Sequence, residues 1–333
     1  MATMEQVAKL ANVSVATVSR VLNNPDTVNE DTRNRVLEVI KNLNYEPNIL
    51  GRSLRKTQTN VVLVLVHAID NPFFSEIVNG IENVARVYDY DVIMANNHGS
   101  KEIGNRYIGM LKNRLIDGII LLSNELDSKE LDNLSSMFPI VQVIEYNKES
   151  TACAICIDYY QASKEIIDNF ITQGRKKIAF INTNICPIVS TEQKYQAYID
   201  SLKENKLQVV TQNIQPLMEF GFDNGYQITI DLLKRNPDLD AIFTCSDMIA
   251  SGAIAACKKY KREVPKDIAV SGFDDIFYSR INDTPITTVS HDTFNLGLTA
   301  MNIIIKMILH EELQTNRFIL PHQVIYRESA PKK

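Results

Sequence analysis

In the stretch VSVATVSRVL, residues 13–22, a single cation, Arg20, stands among small and β-branched side chains. A guanidinium presents a planar fork of donors that matches the O6/N7 edge of guanine. Val15 and Ala16, just upstream of Arg20, are small enough to let a helix press against base edges or thymine methyls. Ser14, Thr17, Ser19 and Asn23 have the size and chemistry for phosphate oxygens. The chemistry open to this cluster is recognition of the DNA major groove. The same residues also suit an ordinary small helical bundle in which Arg20 is merely solvated.

A second set of candidates stands where apolar runs end. After VVLVLV comes HAIDNPFF, whose Phe73 and Phe74 can stack on a planar or sugar ligand or fill a core. After IAVSGF comes Asp274, a carboxylate able to hold hydroxyls or an amine, and after the run ending in Thr244 and Cys245 comes Ser246. The next residue, Asp247, reads as the cap of the following helix, and Asn97, Ser123 and Asn182 occupy similar lips. Nothing here pairs a nucleophile with a base. The sequence has no G-x-G-x-x-G, no G-x-x-x-x-G-K-[ST], no G-x-S-x-G and no zinc spacing, and its five histidines are isolated. Neither an enzyme nor a cofactor or metal is expected.

The elements that must position these groups follow from patterning. Thr3 with Gln6 forms a capping-box pattern before a first helix at about 4 to 11, and ANVS supplies a tight turn in which Ser14 can cap a second. Val18, Val21 and Leu22 share one face of that helix, leaving the polar set and Arg20 outside. A third helix, about Glu30 to Asn42, has Asn29 as cap and Val36, Val39, Ile40 and Leu43 at helical spacing. Residues 47 to 57, PNILGRSLRKT, have the short, basic profile of a linker.

Beyond Asn60, nine apolar runs at 61–66, 91–96, 117–122, 140–145, 154–158, 177–182, 241–245, 268–273 and 286–290 read as strands separated by amphipathic helices. So many strands in βαβ alternation predict two doubly wound parallel sheets, with ligand sites at the carboxyl ends of the strands.

Composition agrees with a globular chain: 333 residues, 45% hydrophobic and 23% charged. Residues 1–57 carry a net charge of +2 against −5 for the whole, which fits a chain that meets a polyanion only at its head. No apolar run approaches the length of a membrane span. MATMEQ has no basic region followed by a long apolar stretch, so the expected address is the cytoplasm. The five cysteines are expected buried and reduced, Cys153 and Cys156 in CAIC included. A solute-binding protein would show an export signal and no basic head.

MEQVAKLANVSVATVSRVLN, TVNEDTRNRVLEVIKNLNYEPN and GRSLR resemble the head and hinge of the LacI/GalR family of bacterial transcription regulators. NPDTVNEDTRNRV, LGRSLRK and NPFFSEIVNGIE are similar to its cytidine-repressor branch, and VATVSRVLN, YDYDVIMAN, IDGIILLS and IDYYQA to its catabolite-control branch.

The resemblance implies a helix-turn-helix headpiece (1–46), a hinge helix and linker (47–59) and a periplasmic-binding-protein-like core (60–333). The core would comprise an N-subdomain, about 60–158 and 290–320, and a C-subdomain, about 159–289 and 321–333. It implies a homodimer on a pseudo-palindromic operator, with Leu54 wedged into a minor-groove step and Arg52 and Arg55 on phosphates. Gly51 replaces the alanine usual in that hinge, at a cost of roughly 0.5–1 kcal/mol of helix stability. Phe74, Ser190, Lys194, Phe220, Ser246 and Asp274 fall where the family holds a sugar or nucleoside effector. Lys194 departs from the arginine common there and cannot form a bidentate fork. The catabolite-control branch implies instead a phosphorylated carrier protein docked near 294–310, where Asn302 replaces an arginine and leaves Lys306.

Overall fold

The computed structural model describes residues 2–45, 58–123, 126–183, 189–217 and 220–333. It divides the chain into two units, Met1–Thr59 and Asn60–Lys333.

The first unit is built by its caps. Helix α1 (Met4–Leu10) opens with the full capping box: Thr3 Oγ1 accepts the Gln6 N–H at 3.2 Å and Gln6 Oε1 accepts the Thr3 N–H at 3.0 Å. Asn12 turns the chain at φ 51°, and Ser14 accepts the Thr17 N–H at 3.1 Å to start α2 (Val15–Asn23). A short 3₁₀ turn, Pro25–Thr27, which patterning did not separate, leads to α3 (Glu30–Asn42), capped by Asn29. Val7, Ala8, Ala11, Val18, Val21, Val36 and Tyr45 form the shared core, with Leu22 half-buried at its rim. Each buried valine contributes about 1.5–3 kcal/mol, enough to override the weak helix propensity of α2.

The second unit contains two parallel sheets. The first has the order β11-β5-β4-β3-β1-β2, from β1 (Val61–Val66), β2 (Asp91–Asn96), β3 (Gly118–Leu121), β4 (Ile140–Val143), β5 (Cys153–Ile157) and β11 (Arg317–Leu320). The second has the order β7-β6-β8-β9, from β6 (Ile178–Thr183), β7 (Ile214–Leu217), β8 (Ala241–Thr244) and β9 (Ala269–Ser271). Strands β10 (Thr288–Ser290) and β12 (Gln323–Ile325) pair antiparallel. Strand β1 is buried on both faces: Val62, Val64 and Val66 join one apolar cluster and Leu63 and Leu65 another, as a sheet covered by helices on both sides requires.

Those helices are α4 (Pro72–Val87), α5 (Lys101–Lys112), α6 (Ser128–Ser135), α7 (Tyr159–Thr172), α8 (Val189–Glu204), α9 (Phe222–Arg235), α10 (Asp247–Lys259), α11 (Phe277–Ile281) and α12 (Thr293–Ile308). In each half one helix pair meets backbone to backbone. A Cβ on Gly80 of α4 would lie 2.1 Å from the Phe294 carbonyl oxygen of α12, and one on Gly252 of α10 would lie 2.1 Å from that of Phe222 in α9.

Among the described residues twelve strands stand where nine were expected, because β7, β11 and β12 carry weak signals. Strand β7 contains Pro216, β11 is a partly exposed edge strand, and β12 has three residues. Helix α6 is mostly polar and α11 has five residues, so neither shows a periodic stripe. Cys153, Cys156, Cys245 and Cys257 are buried free thiols, and burial pushes Cys153 up to about 12 and Cys156 up to about 11. Among the described residues no helix is long and apolar enough to cross a membrane, and no histidine, cysteine and carboxylate group is placed to hold a metal.

Candidate DNA-reading face and ligand cleft

On α2, Ala16, Arg20 and Asn23 are exposed, while Val15, Thr17 and Ser19 are half-buried. Arg20 makes no ion pair among the described residues, so its guanidinium is available to a ligand. Its neighbours are more committed. The Ser14 and Thr17 hydroxyls lie 2.9 Å apart in the N-terminal cap, and the Asn23 amide donates to the Ser19 carbonyl at 2.8 Å. Val15 also packs against the small core, so only part of it faces outward. Arg52, Leu54 and Arg55, with Gly51, lie outside the described residues.

In the second unit the candidate residues converge at strand ends. Ser190 and Lys194, in the first two turns of α8, are both 6% exposed. The Ser190 hydroxyl donates to Glu145, which follows β4 in the other sheet, and the Ser190 N–H reaches the same carboxylate at 3.4 Å. Lys194 Nζ donates to the Cys245 carbonyl at 3.2 Å and sits 3.8 Å from the centre of the Phe273 ring, a cation–π contact. Lys148 and Glu192 form an ion pair between the same two segments.

Asp274 follows β9 at φ 104°, a backbone state that costs a non-glycine residue free energy and survives only where its surroundings enforce it. Its N–H donates to the Val289 carbonyl at 2.9 Å, and its Oδ1 lies 3.1 Å from His291 Nε2. Phe73 and Phe74, both 5% exposed, pack inward. The Phe73 ring lies 5.3 Å from His291, and Phe74 sits edge-on to His67 at 5.0 Å. Phe220 is exposed and lies 6.4 Å from His67.

One expectation is corrected. The cap of α10 is Ser246, whose side chain accepts the Ile249 N–H at 3.5 Å, and not Asp247. Asp247 is fully buried, accepts the Ile276 N–H at 2.9 Å and so pins the loop that carries Asp274. Asp247 is the first residue of α10 itself, and its carboxylate is turned to Gly272 and the Ile276 N–H. The capping role also occupies Ser246, a candidate ligand contact.

Burial and charge set the electrostatics. Burial raises the Glu145 carboxyl above the ordinary range, against the pull of the Ser190 hydroxyl and the Lys194 ammonium. Burial also raises Asp247, with the charge of Asp274 adding to it. Burial lowers His291 and His67, keeping both rings neutral near pH 7. The cleft thus offers carboxylate acceptors, one ammonium already engaged and several aromatic faces. Such a set can hold a small polar ligand by hydrogen bonds and ring contacts. Sequence reading missed Glu145, Tyr159, Phe273 and His291: only their meeting across distant segments gives them meaning.

Comparison with known proteins places both units. Residues 3–48 match the family described as bacterial regulatory proteins, lacI family, and residues 59–328 match periplasmic binding proteins and sugar binding domain of LacI family. The chain is 36% identical to the HTH-type transcriptional regulator RegA of Clostridium saccharobutylicum over 98% of both chains. It is 32% identical to the ribose operon repressor of Halalkalibacterium halodurans over 99% of this chain and 97% of that one.

Among solved structures, a transcriptional regulator CelR–cellobiose complex matches at 28% identity and TM-score 0.74, covering 99% of this chain and 100% of that one. The Lac repressor dimer bound to operator and an anti-inducer shares the fold at TM-score 0.85 and 22% identity, covering 99% of each chain. A capped three-helix head followed by two parallel sheets, bridged by Ser190 and Glu145, matches the LacI family in both parts: the chain belongs to that family of DNA-binding transcriptional regulators.

Proposed function

We propose that the protein is a homodimeric repressor that reads a pseudo-palindromic operator and answers to a neutral sugar or nucleoside in the cleft. The observation that carries the effector half is the convergence of Glu145, Ser190, Lys194 and Asp274, with Phe220 and His67 at the lip, at the carboxyl ends of strands from both sheets. Headpiece 1–46, hinge 47–59 and core 60–333 would be the working parts. The subdomain boundaries would be about 60–158 with 290–320, and about 159–289 with 321–333.

In this reading Arg20 reads a base while Val15 and Ala16 lie against base edges. Ser14, Thr17, Ser19, Asn23, Arg52 and Arg55 meet phosphates, and Leu54 wedges the central step. One small headpiece buries too little surface for tight specific binding, so two heads on half-sites follow, with protein and operator symmetry matched. An effector acts only through the difference in its affinity for the operator-bound and free states.

Control by a phosphorylated carrier protein is the weaker reading, although catabolite control protein A of Priestia megaterium is 30% identical over 98% of this chain and 99% of that one. The Asn302 amide donates to the Leu298 carbonyl at 2.8 Å on the same helix, leaving Lys306 as that helix's one cation.

The test has two arms. Selection of DNA from a random pool should return a two-fold symmetric site. A thermal-shift screen of ribose, glucose, cellobiose, sucrose, nucleosides and sugar phosphates should then find a neutral ligand that raises Tm and releases the selected DNA; binding at 100 times Kd adds about 2.7 kcal/mol. Absence of any selected site would sink the regulator reading. A response to sugar phosphates alone would sink the neutral-ligand reading.

A further inference from the structure

We infer that His291 is the positioning residue of the effector site: its imidazole holds the Asp274 carboxylate in the orientation that accepts effector hydroxyls and ties it to the strand that leads into α12. This inference rests on reading the cleft as the effector site.

His291 follows β10 directly, and Asp292 behind it caps α12. Its ring is 1% exposed and touches segments from both halves of the unit. Phe73 of α4 lies at 5.3 Å, Phe273 meets it edge-on at 5.3 Å, and Tyr159 at the start of α7 lies at 6.1 Å. Aromatic walls on three sides leave the imidazole little freedom. Among the described residues the polar contact it makes is the one to Asp274 Oδ1 at 3.1 Å.

The proton's place follows from the partners. An ionised carboxylate only accepts, so Nε2 carries the hydrogen and Nδ1 is left as an acceptor. That Nδ1 is buried without a partner among the described residues. Asp274, Lys194 and His322 are the charged or titratable groups whose fields reach the ring, and burial outweighs them to keep it neutral. Asp274 itself is part-exposed, its side chain 15% accessible, and among the described residues its Oδ2 accepts no hydrogen bond. One oxygen is therefore held from behind while the other faces outward.

The same loop is fastened at three places to β10 and the residue that follows it. The Asp275 N–H meets Thr288 Oγ1 at 3.3 Å, the Asp274 N–H meets the Val289 carbonyl, and the Asp274 side chain meets His291. Asp275 also pairs with Arg327 at 2.5 Å, on the segment beyond β12. Consecutive residues at φ 104° and 50° are kept in that state by these bonds. Loss of the His291 bond frees the carboxylate to swing, and a ligand must then order it at the cost of affinity.

The test uses the full chain and has two arms. With ¹⁵N-labelled histidine, the signal assigned to His291 by its loss in His291→Gln should show the neutral Nε2–H form at pH 7.5, and Asp274→Ala should abolish that preference. An Nδ1–H form, or no response to Asp274→Ala, overturns the proposal without any ligand. The second arm is calorimetric titration with whichever of ribose, glucose, cellobiose or sucrose raises the wild-type Tm. His291→Leu should weaken binding by about 10-fold or more, and His291→Gln, which keeps an N–H donor, by no more than about threefold. The His291→Leu/Asp274→Ala double variant should bind no more weakly than Asp274→Ala alone. Wild-type affinity in Asp274→Ala would sink the cleft reading. Loss there with full affinity in His291→Leu would sink the positioning role alone.

Discussion

The hydroxyl of Ser190 donates to the carboxylate of Glu145, joining the first turn of α8 to the end of β4 across the cleft. Burial raises the Glu145 pKa, so the folded state favours the protonated acid more than the unfolded chain does. Ionised Glu145 therefore costs stability above its folded pKa, and the cost disappears as pH falls through that value. Glu145→Gln keeps an acceptor for Ser190 and removes the charge. Its Tm should exceed that of the wild type by roughly 2 °C or more at pH 8, and the gap should narrow as pH falls from the raised folded value and vanish only below the ordinary carboxyl value of 4.5. A gap independent of pH would mean the charge is already neutralised by Lys194.

His291 predicts the opposite slope. A histidine whose folded pKa is lowered leaves stability intact above the unfolded value, about 6.5, and loses it as pH falls below that value. The wild-type Tm should fall faster than that of His291→Gln between pH 7 and 5 in parallel melts. His67, lowered for the same reason, is present in both proteins and cancels in the difference.

Arg20 makes no ion pair among the described residues and lies exposed on α2. Arg20→Ala should relax preference at one base pair of each half-site and cost about 1–3 kcal/mol in fluorescence-anisotropy titrations. An equal loss on specific and random DNA would reduce it to a phosphate contact.

Leu54→Ala tests the wedge. Specific affinity should drop while the thermal transition of the core stays in place. Unchanged operator affinity would remove minor-groove insertion from the account.

Gly80 and Gly252 occupy helix crossings in which an added Cβ would lie 2.1 Å from a backbone oxygen. Either glycine to alanine change should lower Tm by several degrees, corresponding to about 1–3 kcal/mol of overpacking. A melt unchanged by Gly252→Ala would show that α9 and α10 can separate freely.

The alternating apolar runs made both sheets legible, because a strand buried on both faces must be written almost wholly in Val, Ile and Leu, as β1 is. The headpiece was legible for another reason: Thr3, Ser14 and Asn29 announce each helix by their own caps. Strands β7 and β12 were not, since pairing with a neighbour defines them more than their composition does. In the cleft, Asp274, Ser190 and Lys194 stood in view. Glu145 and His291 did not, because a lone carboxylate and a lone histidine acquire roles only when folding brings Ser190 and Asp274 to them. Asp247 was misread for a related reason: a carboxylate at a helix start looks like a cap until a buried loop N–H claims it.

The glycine crossings separate the frame from the recognition chemistry. Where α4 meets α12 and α9 meets α10, the fit is set by main chain, while every candidate ligand contact stands on a loop or a helix start at a strand end. Changes at the strand ends therefore leave the two glycine crossings themselves untouched. Under the proposed effector reading, redesign of specificity should begin at positions 145, 190, 194, 220 and 274 and leave the crossings alone.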